Sequence, residues 1–466
     1  MNNDLLRVFE TESDYDSAKP DFVYPTVSYV RDVDEVKYMS KPLRNYFFIE
    51  ALADGMAVTL DNTRQMPGMD FSITAPANEL EYSTDQQIWK RLPSNTASPV
   101  INTNERIYLR GNATVGDAAN DTLGIGFFNI SQSCNVGGNI MSLLFNDDFE
   151  GKTDLTGYDG AFAGLFLQQP IVNTTQLILP ATTLSMSCYN GMFQNCTSLT
   201  TAPELPATTL SVGCYNQMFN GCESLTTAPE LPATTLASWC YGYMFSGCTS
   251  LTTPPRILPA TTLTDYCYYY MFASCASLTT APELLATTLT DECCHQMFAH
   301  CTSLTTPPRI LPATTLANNC YEYMFLNCTS LTTAPELPAT TLADGCYQSM
   351  FSNCTSLTTA PALPATTLAN NCYRYMFMDC TLLTTAPELP ATTLADSCYN
   401  AMFQRCSNLN NIKMLATDIS ATNCLTGWVG DVSSTGTFVK NPALSEATIG
   451  RGNSGIPNGW TVVDAE

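Results

Sequence analysis

Apolar positions recur with a fixed period along the second half of the chain. The word ATTL occurs nine times between residues 181 and 394, and its leucines are 26 or 27 residues apart. We number the units 1 to 9 by these leucines: Leu184, Leu210, Leu236, Leu263, Leu289, Leu316, Leu342, Leu368 and Leu394. A period of this length predicts a solenoid, in which each unit packs only on its neighbours.

Residues 337–362 illustrate the structure that the sequence predicts for one unit. The apolar residues that it shares with the other units are three or four positions apart: Leu342, Cys346, Met350, Cys354 and Leu357. This spacing predicts one face of a short helix or helical turn. The Thr-rich stretch that follows is bounded by proline and predicts a short extended arm. The units together predict a leucine-rich-repeat solenoid over residues 177–412.

The flanking regions predict separate domains, so that the expected fold class is α+β and multidomain. Short apolar runs between Gly, Asn and Asp over residues 43–150 predict a small β-sandwich. Residues 151–176 form an imperfect repeat with apolar Phe162, Leu165 and Phe166, and they are expected to cap the solenoid at its N-terminal end. Residues 413–466 lose the period and are expected to cap the other end.

Residues 1–42 are polar and acidic. We expect them to form an anchor arm that becomes ordered against a partner, although a disordered terminus would have the same composition. The chain does not begin with a basic segment and an apolar core, so we expect no secretory signal. It also has no run of about 18 apolar residues, and we expect no membrane insertion.

The formal net charge of −23 argues against a nucleic-acid partner, because phosphate binding needs clustered Lys and Arg. Only two histidines are present, which leaves little room for His-based acid–base catalysis. We find no nucleophile elbow, Gly-rich phosphate loop or HExxH motif, and we expect no enzyme. A glycan hydrolase remains an alternative if two non-periodic carboxylates share a cleft.

The 21 cysteines follow the repeat. Each unit contains C-x7-C, as in Cys188 and Cys196, and this spacing predicts two ladders of buried, reduced thiols rather than zinc ligands. Disulfides between neighbouring units are an alternative. In unit 5, residues 293–301 contain three cysteines and two histidines, which could form a zinc site, but we expect chance variation and no metal or cofactor.

Charged residues also repeat. The position after the arm proline forms a predicted row, which is Glu204, Glu230, Arg256, Glu283, Arg309, Glu336, Ala362 and Glu388. The arginines are expected to relieve repulsion between the glutamates. A cation shared by Glu204 and Glu230 is an alternative.

Variation between units is greatest at the pair of residues after Cys-Tyr and at the pair before the second Cys. The candidate binding residues are tyrosines at the first of these places: Tyr243, Tyr269, Tyr270, Tyr323 and Tyr375. Tyrosine is typical of adaptable contact surfaces, and we expect this row to stack on sugars or pack on a partner. Drift at exposed positions would give the same pattern.

The repeated pattern L-x-x-x-C-Y-x-x-M-F-x-x-C-x-x-L resembles the BspA-type leucine-rich repeat of bacterial surface proteins. The aromatic residue followed by x-x-C-x-x-L carries the resemblance, as in Phe219, Cys222 and Leu225. The Pro-rich arm and the first cysteine of each pair, such as Cys214, depart from that pattern. The resemblance implies a leucine-rich-repeat fold and says little about function.

Residues 23–39, 81–92, 137–162 and 454–466 resemble structural proteins of phages of Bacteroidales, including crAss-like phages. This resemblance implies a virion fibre or decoration protein on the particle surface, made in the host cytoplasm. Its N-terminal region would bind other virion proteins, and its solenoid would contact host-surface glycan or protein. We expect a homo-oligomer and take a trimer as its form. The alternative is a bacterial cell-surface adhesin of the BspA type.

Overall fold

The computed structural model describes residues 43–61, 80–112 and 125–466 with their side chains. Within residues 1–42 it describes the backbone of three strands: β1 (Leu6–Phe9), β2 (Thr26–Val30) and β3 (Glu35–Met39). Strand β2 pairs in parallel with β1 and antiparallel with β3. The rest of the predicted anchor arm lies outside the described residues.

The region after the arm consists of short strands with apolar, buried faces. They are β4 (Phe47–Ala51), β5 (Val58–Asp61), β6 (Leu80–Ser83), β7 (Lys90–Leu92), β8 (Arg106–Gly111), β9 (Phe127–Ile130), β10 (Cys134–Asn139) and β11 (Ile171–Ile178). Six of them form one sheet in the order β11-β10-β4-β8-β6-β7, and β5 pairs with β9. Burial alternates along β8, as expected for a sheet with one face against the core.

The two sheets share a core of aromatic rings. Phe47 of the large sheet stacks on Phe128 of the small one with ring centroids 6.1 Å apart, and Phe166 packs on both. The sheet does not end at residue 150, because β11 pairs in parallel with β10. The sheet region and the first repeat are thus joined by backbone hydrogen bonds. A four-residue helix, α1 (Ser142–Phe145), and a 3₁₀ helix (Asn146–Asp148) connect them.

The helical face predicted for each unit is wrong. In unit 7 the backbone has positive φ at Gly345, Ser349 and Asn353, with values of 63°, 54° and 60°. A residue with positive φ ends any right-handed helix, so the segment is a series of four-residue turns. The described residues contain only two α-helices, α1 and α2 (Glu446–Ile449), and neither lies in the numbered units.

Hydrogen bonding explains this turn segment. The N–H of Cys346 donates to Ala343 within the unit, whereas the N–H of Tyr347 donates to Cys372 in the next unit. Alternate residues repeat this choice along the segment, so half of the amides close turns and half join neighbouring units. The apolar positions therefore repeat every four residues rather than every 3.6. The small and polar residues Gly, Ser and Asn are frequent at the positions with positive φ.

The arms that follow the turn segments are extended but seldom form strands. Parallel bridges join single threonines of successive units, such as Thr183 with Thr209. Only two strands of two residues occur within the numbered units, β12 (Ile257–Leu258) and β13 (Glu283–Leu284), and they pair with each other. Proline supplies no N–H to a ladder, which accounts for the incomplete pairing.

Aromatic rings form ladders inside the stack. The rings of Phe325 and Phe351, in neighbouring units, have centroids 5.6 Å apart and an interplanar angle of 0°. The tyrosine of each Cys-Tyr pair forms a second ladder, which Cys294 interrupts in unit 5. Ring pairs of this kind contribute about 0.5–1.5 kcal/mol each beyond the burial of their area.

All 21 cysteines are free and buried, as the repeat spacing predicts. The second cysteine of each unit donates its thiol to a phenylalanine carbonyl of the unit before it, as Cys222 does to Phe193 at 3.1 Å. Burial raises the pKa of the Cys248 and Cys301 thiols to about 12. These residues are therefore protonated donors that join neighbouring units.

The turn geometry continues past residue 412, where the sequence loses its period. Asn423, Gly427 and Asp431 have positive φ at the same four-residue spacing, and Phe403 donates to the carbonyl of Trp428. The last strands are β14 (Asn411–Met414), β15 (Thr437–Lys440) and β16 (Thr461–Asp464), which form a parallel sheet. Trp428 is fully buried at this end.

Candidate binding surface

Four of the five candidate tyrosines occupy the same position in their turn segments. Tyr243, Tyr270, Tyr323 and Tyr375 have positive φ, with values of 53°, 54°, 55° and 57°. A bulky side chain in this conformation costs roughly 1–2 kcal/mol. All four rings are half-buried at the surface of the stack.

The structure brings most of these candidates together. The Tyr243 and Tyr270 ring centroids are 4.9 Å apart, and Tyr269 lies 4.7 Å from Tyr270. Tyr323 joins them through His295, whose ring centroid lies 5.6 Å away. Four of the five candidates therefore belong to one continuous surface that crosses units 3 to 6.

Tyr375 is separate from this group. Its ring lies under the guanidinium of Arg374, which is 4.8 Å from the ring centroid. The same guanidinium donates to the Tyr375 hydroxyl at 3.1 Å. The single row that the sequence predicts is thus divided into a cluster in units 3 to 6 and an isolated pair in unit 8.

Three aromatic residues of the cluster were missed by sequence reasoning. Trp239 stacks on Tyr266 with centroids 4.5 Å apart, and Tyr269 lies 5.2 Å from Trp239. His295 stacks on Tyr269 at 5.0 Å. Trp239 and Tyr266 stand four positions before Tyr243 and Tyr270, so a four-residue period would have placed them on the same side. We call the following residues the aromatic patch: Trp239, Tyr243, Tyr266, Tyr269, Tyr270, His295 and Tyr323.

Carboxylates surround the aromatic patch. Glu322 lies 3.4 Å from Nδ1 of His295 and accepts a hydrogen bond from Gln348. The charge of Glu292 raises the pKa of the Tyr266 hydroxyl, and burial raises that of Tyr243. The Tyr243 and Tyr266 phenols are therefore protonated at neutral pH. The surface offers ring faces, hydroxyl donors and carboxylate acceptors.

The cysteine and histidine group of unit 5 is spread over different surroundings. Cys293 and Cys301 are buried in the core, and Cys294 takes the place of a tyrosine in the ladder. His295 belongs to the aromatic patch, whereas His300 is exposed and contacts Asn327 at 3.1 Å. Within the part of the chain that the structure describes, no three His, Cys, Asp or Glu side chains are arranged to hold a metal ion.

The predicted charge row exists on the arms. Arg309 lies between Glu283, which accepts from its backbone N–H at 3.3 Å, and Glu336, whose carboxylate is 3.8 Å from its guanidinium. Arg256 likewise donates its backbone N–H to Glu230 at 3.3 Å. These side chains are exposed, and such pairs contribute only about 0–1 kcal/mol.

Comparison with known proteins agrees with the repeat pattern. The model of the BspA type leucine rich repeat region matches six copies, over residues 171–305, 268–392 and 318–424. The chain belongs to the BspA-type leucine-rich repeat family. No curated protein sequence matches this BspA-type chain.

One solved structure that resembles this BspA-type chain is the crystal structure of a leucine-rich repeat protein from Bacteroides ovatus. The two share 13% sequence identity, with a TM-score of 0.29 over 67% of this chain and 87% of the other. In the described part of our chain, no helix is both long and apolar enough to cross a bilayer.

Proposed function

We propose that the protein is a non-enzymatic appendage of a phage particle, a fibre or decoration protein that adheres to the host surface. Its nine units form a solenoid that projects from the particle. The aromatic patch carries this proposal, because it places large half-buried rings and polar edges together on one surface. Tyr and Trp dominate the binding energy of many interfaces.

The architecture supports a role in presentation. Every turn segment forms backbone hydrogen bonds with the turn segments of neighbouring units. The ladders of phenylalanine and tyrosine rings run through the core with little interruption, and both features favour a stiff rod. The partner is a host-surface glycan or protein. The N-terminal region attaches the chain to other virion proteins, and the assembled form is a homo-oligomer for which we propose a trimer. The resemblance of residues 23–39 and 137–162 to phage structural proteins supports the virion location.

A bacterial cell-surface adhesin is the second candidate. The family match over residues 171–424 favours it as strongly as the virion role, since BspA-type repeats also occur in bacterial surface proteins. Both candidates use the aromatic patch for adhesion and differ in where the protein is displayed.

Immunogold labelling distinguishes the two. An antibody raised against residues 177–412 is applied to purified phage particles and to uninfected host cells. Label on intact particles, at the head or the tail, is the expected result. If uninfected cells carry the label and phage particles do not, the protein is a bacterial adhesin and the appendage proposal is wrong.

A further inference from the structure

The arms of units 1 and 2 border a groove, whereas the aromatic patch lies on turn segments. The groove encloses about 570 Å³, and an adjoining cavity of about 480 Å³ extends it over β11. Thr175 and Pro203 line both cavities. Alanine, proline and threonine form most of the lining, whereas Glu204 and Glu230 are exposed beside it.

The two arms that form this groove are not joined by backbone hydrogen bonds. In the described residues, the N–H groups of Ala202, Glu204 and Leu205 in unit 1 make no hydrogen bond to protein, and those of Glu230 and Leu231 in unit 2 make none either. Ala202, Glu204, Leu205 and Glu230 are among the residues that line the groove, and their N–H groups lack an acceptor in the described part of the protein. The groove therefore has backbone donors that a ligand can satisfy.

Most other pairs of neighbouring arms are joined by backbone hydrogen bonds. Between units 3 and 4, β12 pairs with β13, and between units 4 and 5 Ala281 donates to Thr306 at 2.9 Å. Units 7 and 8 also lack arm-to-arm backbone bonds, but Ala362 replaces one of the two glutamates there. Only some pairs of arms thus combine unpaired amides with two carboxylates.

The glutamates of the groove lack cationic partners. Glu204 has no ion pair or hydrogen bond among the described residues, and the carboxylate of Glu230 accepts only the backbone N–H of Arg256. Elsewhere in the row, Glu388 pairs with Lys413 at 3.1 Å. Among the described residues no third His, Cys, Asp or Glu side chain lies with them to form a metal site, and the two carboxylates match two side-chain cations.

We infer that this groove binds an extended segment of a partner protein, with Lys or Arg side chains against Glu204 and Glu230. The carbonyl groups of the peptide accept hydrogen bonds from the unpaired amides, and its apolar side chains lie on the Ala, Pro and Thr lining. β11 and the two arms together span about 10–15 Å across the groove, which accommodates four or five extended residues. The site is separate from the aromatic patch, so its partner is a second one.

Two peptide pools test the inference with the full chain immobilised. One pool contains amidated hexapeptides with Lys at the second and fourth positions and mixed Val, Ile, Thr and Pro elsewhere. The other pool has norleucine in place of both lysines. Mass spectrometry measures retention, and we expect at least tenfold more of the lysine pool on the native chain.

Variants assign the retention to the groove. The double variant Glu204→Gln, Glu230→Gln should lose the preference for lysine, whereas the matched control Glu336→Gln, Glu388→Gln should keep it. Thr227→Trp, which fills the groove, should abolish retention altogether, and circular dichroism verifies that each variant is folded.

Equal retention of the two pools, no retention of either, or an unchanged preference in the Glu204/Glu230 double variant overturns the inference. The variant Tyr266→Ala, which alters the aromatic patch, should leave retention intact. Failure of the proposed adhesion at the patch is thereby distinguished from failure of the groove.

Discussion

The turn segment and the arm of each unit are held to neighbouring units by different numbers of backbone hydrogen bonds. In unit 1 the N–H groups of Ser187, Tyr189, Gly191, Phe193 and Asn195 all donate to unit 2. The arms of the same two units share no backbone hydrogen bond over residues 200–207. The continuity of the stack therefore comes from the turns, and the arms are free to differ between units.

The same contrast appears in the side chains. The turn segments bury the Cys, Met, Tyr and Phe that the units share, whereas the arms expose threonine and a row of charges. The turn side also carries the aromatic patch, and the arm side carries the groove. We conclude that the two sides of one repeat provide two chemically different surfaces on a common core.

Thiol reactivity should show the largest difference. Burial raises the pKa of the Cys301 thiol from 9.0 to about 12. This higher pKa lowers the fraction of thiolate at pH 8 by roughly a thousandfold. Disulfide-exchange labelling of the folded chain should therefore be slow and should accelerate on unfolding. The variant Thr306→Cys places a thiol on the exposed arm and should label at once. Rapid labelling of all thiols in the folded chain would contradict this arrangement.

Removing a ring from the phenylalanine ladder should be the most destabilising single change. Phe298 is fully buried and lies 5.6 Å from both Phe272 and Phe325. Phe298→Ala leaves a cavity and should lower the free energy of unfolding by about 3–5 kcal/mol. Urea titration measures it, with Thr306→Ala on the arm as a control expected within about 0.5 kcal/mol. Similar losses in both variants would remove the distinction between turn and arm.

The aromatic patch should affect binding rather than stability. Tyr266 stacks on Trp239 at the surface, and Tyr266→Ala should reduce attachment of the labelled protein to host cells about tenfold or more, as for an interface hot spot. Flow cytometry measures attachment. Tyr375→Ala is the control, because that ring lies outside the patch. An equal loss of attachment in both variants would mean that Tyr375 binds together with the patch, as in the single row of tyrosines predicted from the sequence.

The backbone conformation of the turns should have a moderate effect. Gly427 has a φ of 64°, and a Cβ added there would meet no atom within 4 Å. Gly427→Ala therefore isolates the cost of a left-handed backbone, which is roughly 1–2 kcal/mol. Thermal denaturation measures it. No loss of stability would mean that a side chain at this turn position costs nothing. Tyr243 and Tyr270, which occupy the equivalent position in their units, would then need no ring stacking to offset that cost.

The sequence predicted the period, the buried thiols and the charge row, because each depends on which residues neighbouring units share. It failed at the turn segment, because spacings of four and three are close to helical periodicity and only the positive-φ positions reveal the difference. Trp239 and Tyr266 were missed for that reason. The unpaired arms of units 1 and 2 could not be predicted either, since their sequence is nearly that of arms which do pair.

The smallest effect should come from the charge row on the arms. Arg309 and Glu336 are 74% and 68% exposed in their side chains, and water and salt screen such pairs. Arg309→Gln should lower the free energy of unfolding by about 0.2–1 kcal/mol at low ionic strength, and the loss should vanish near 1 M NaCl. Urea titration at the two salt concentrations measures it. A larger loss that persists in salt would mean that the arms contribute to the stack nearly as much as the turns do, since the variant keeps the backbone N–H that donates to Glu283.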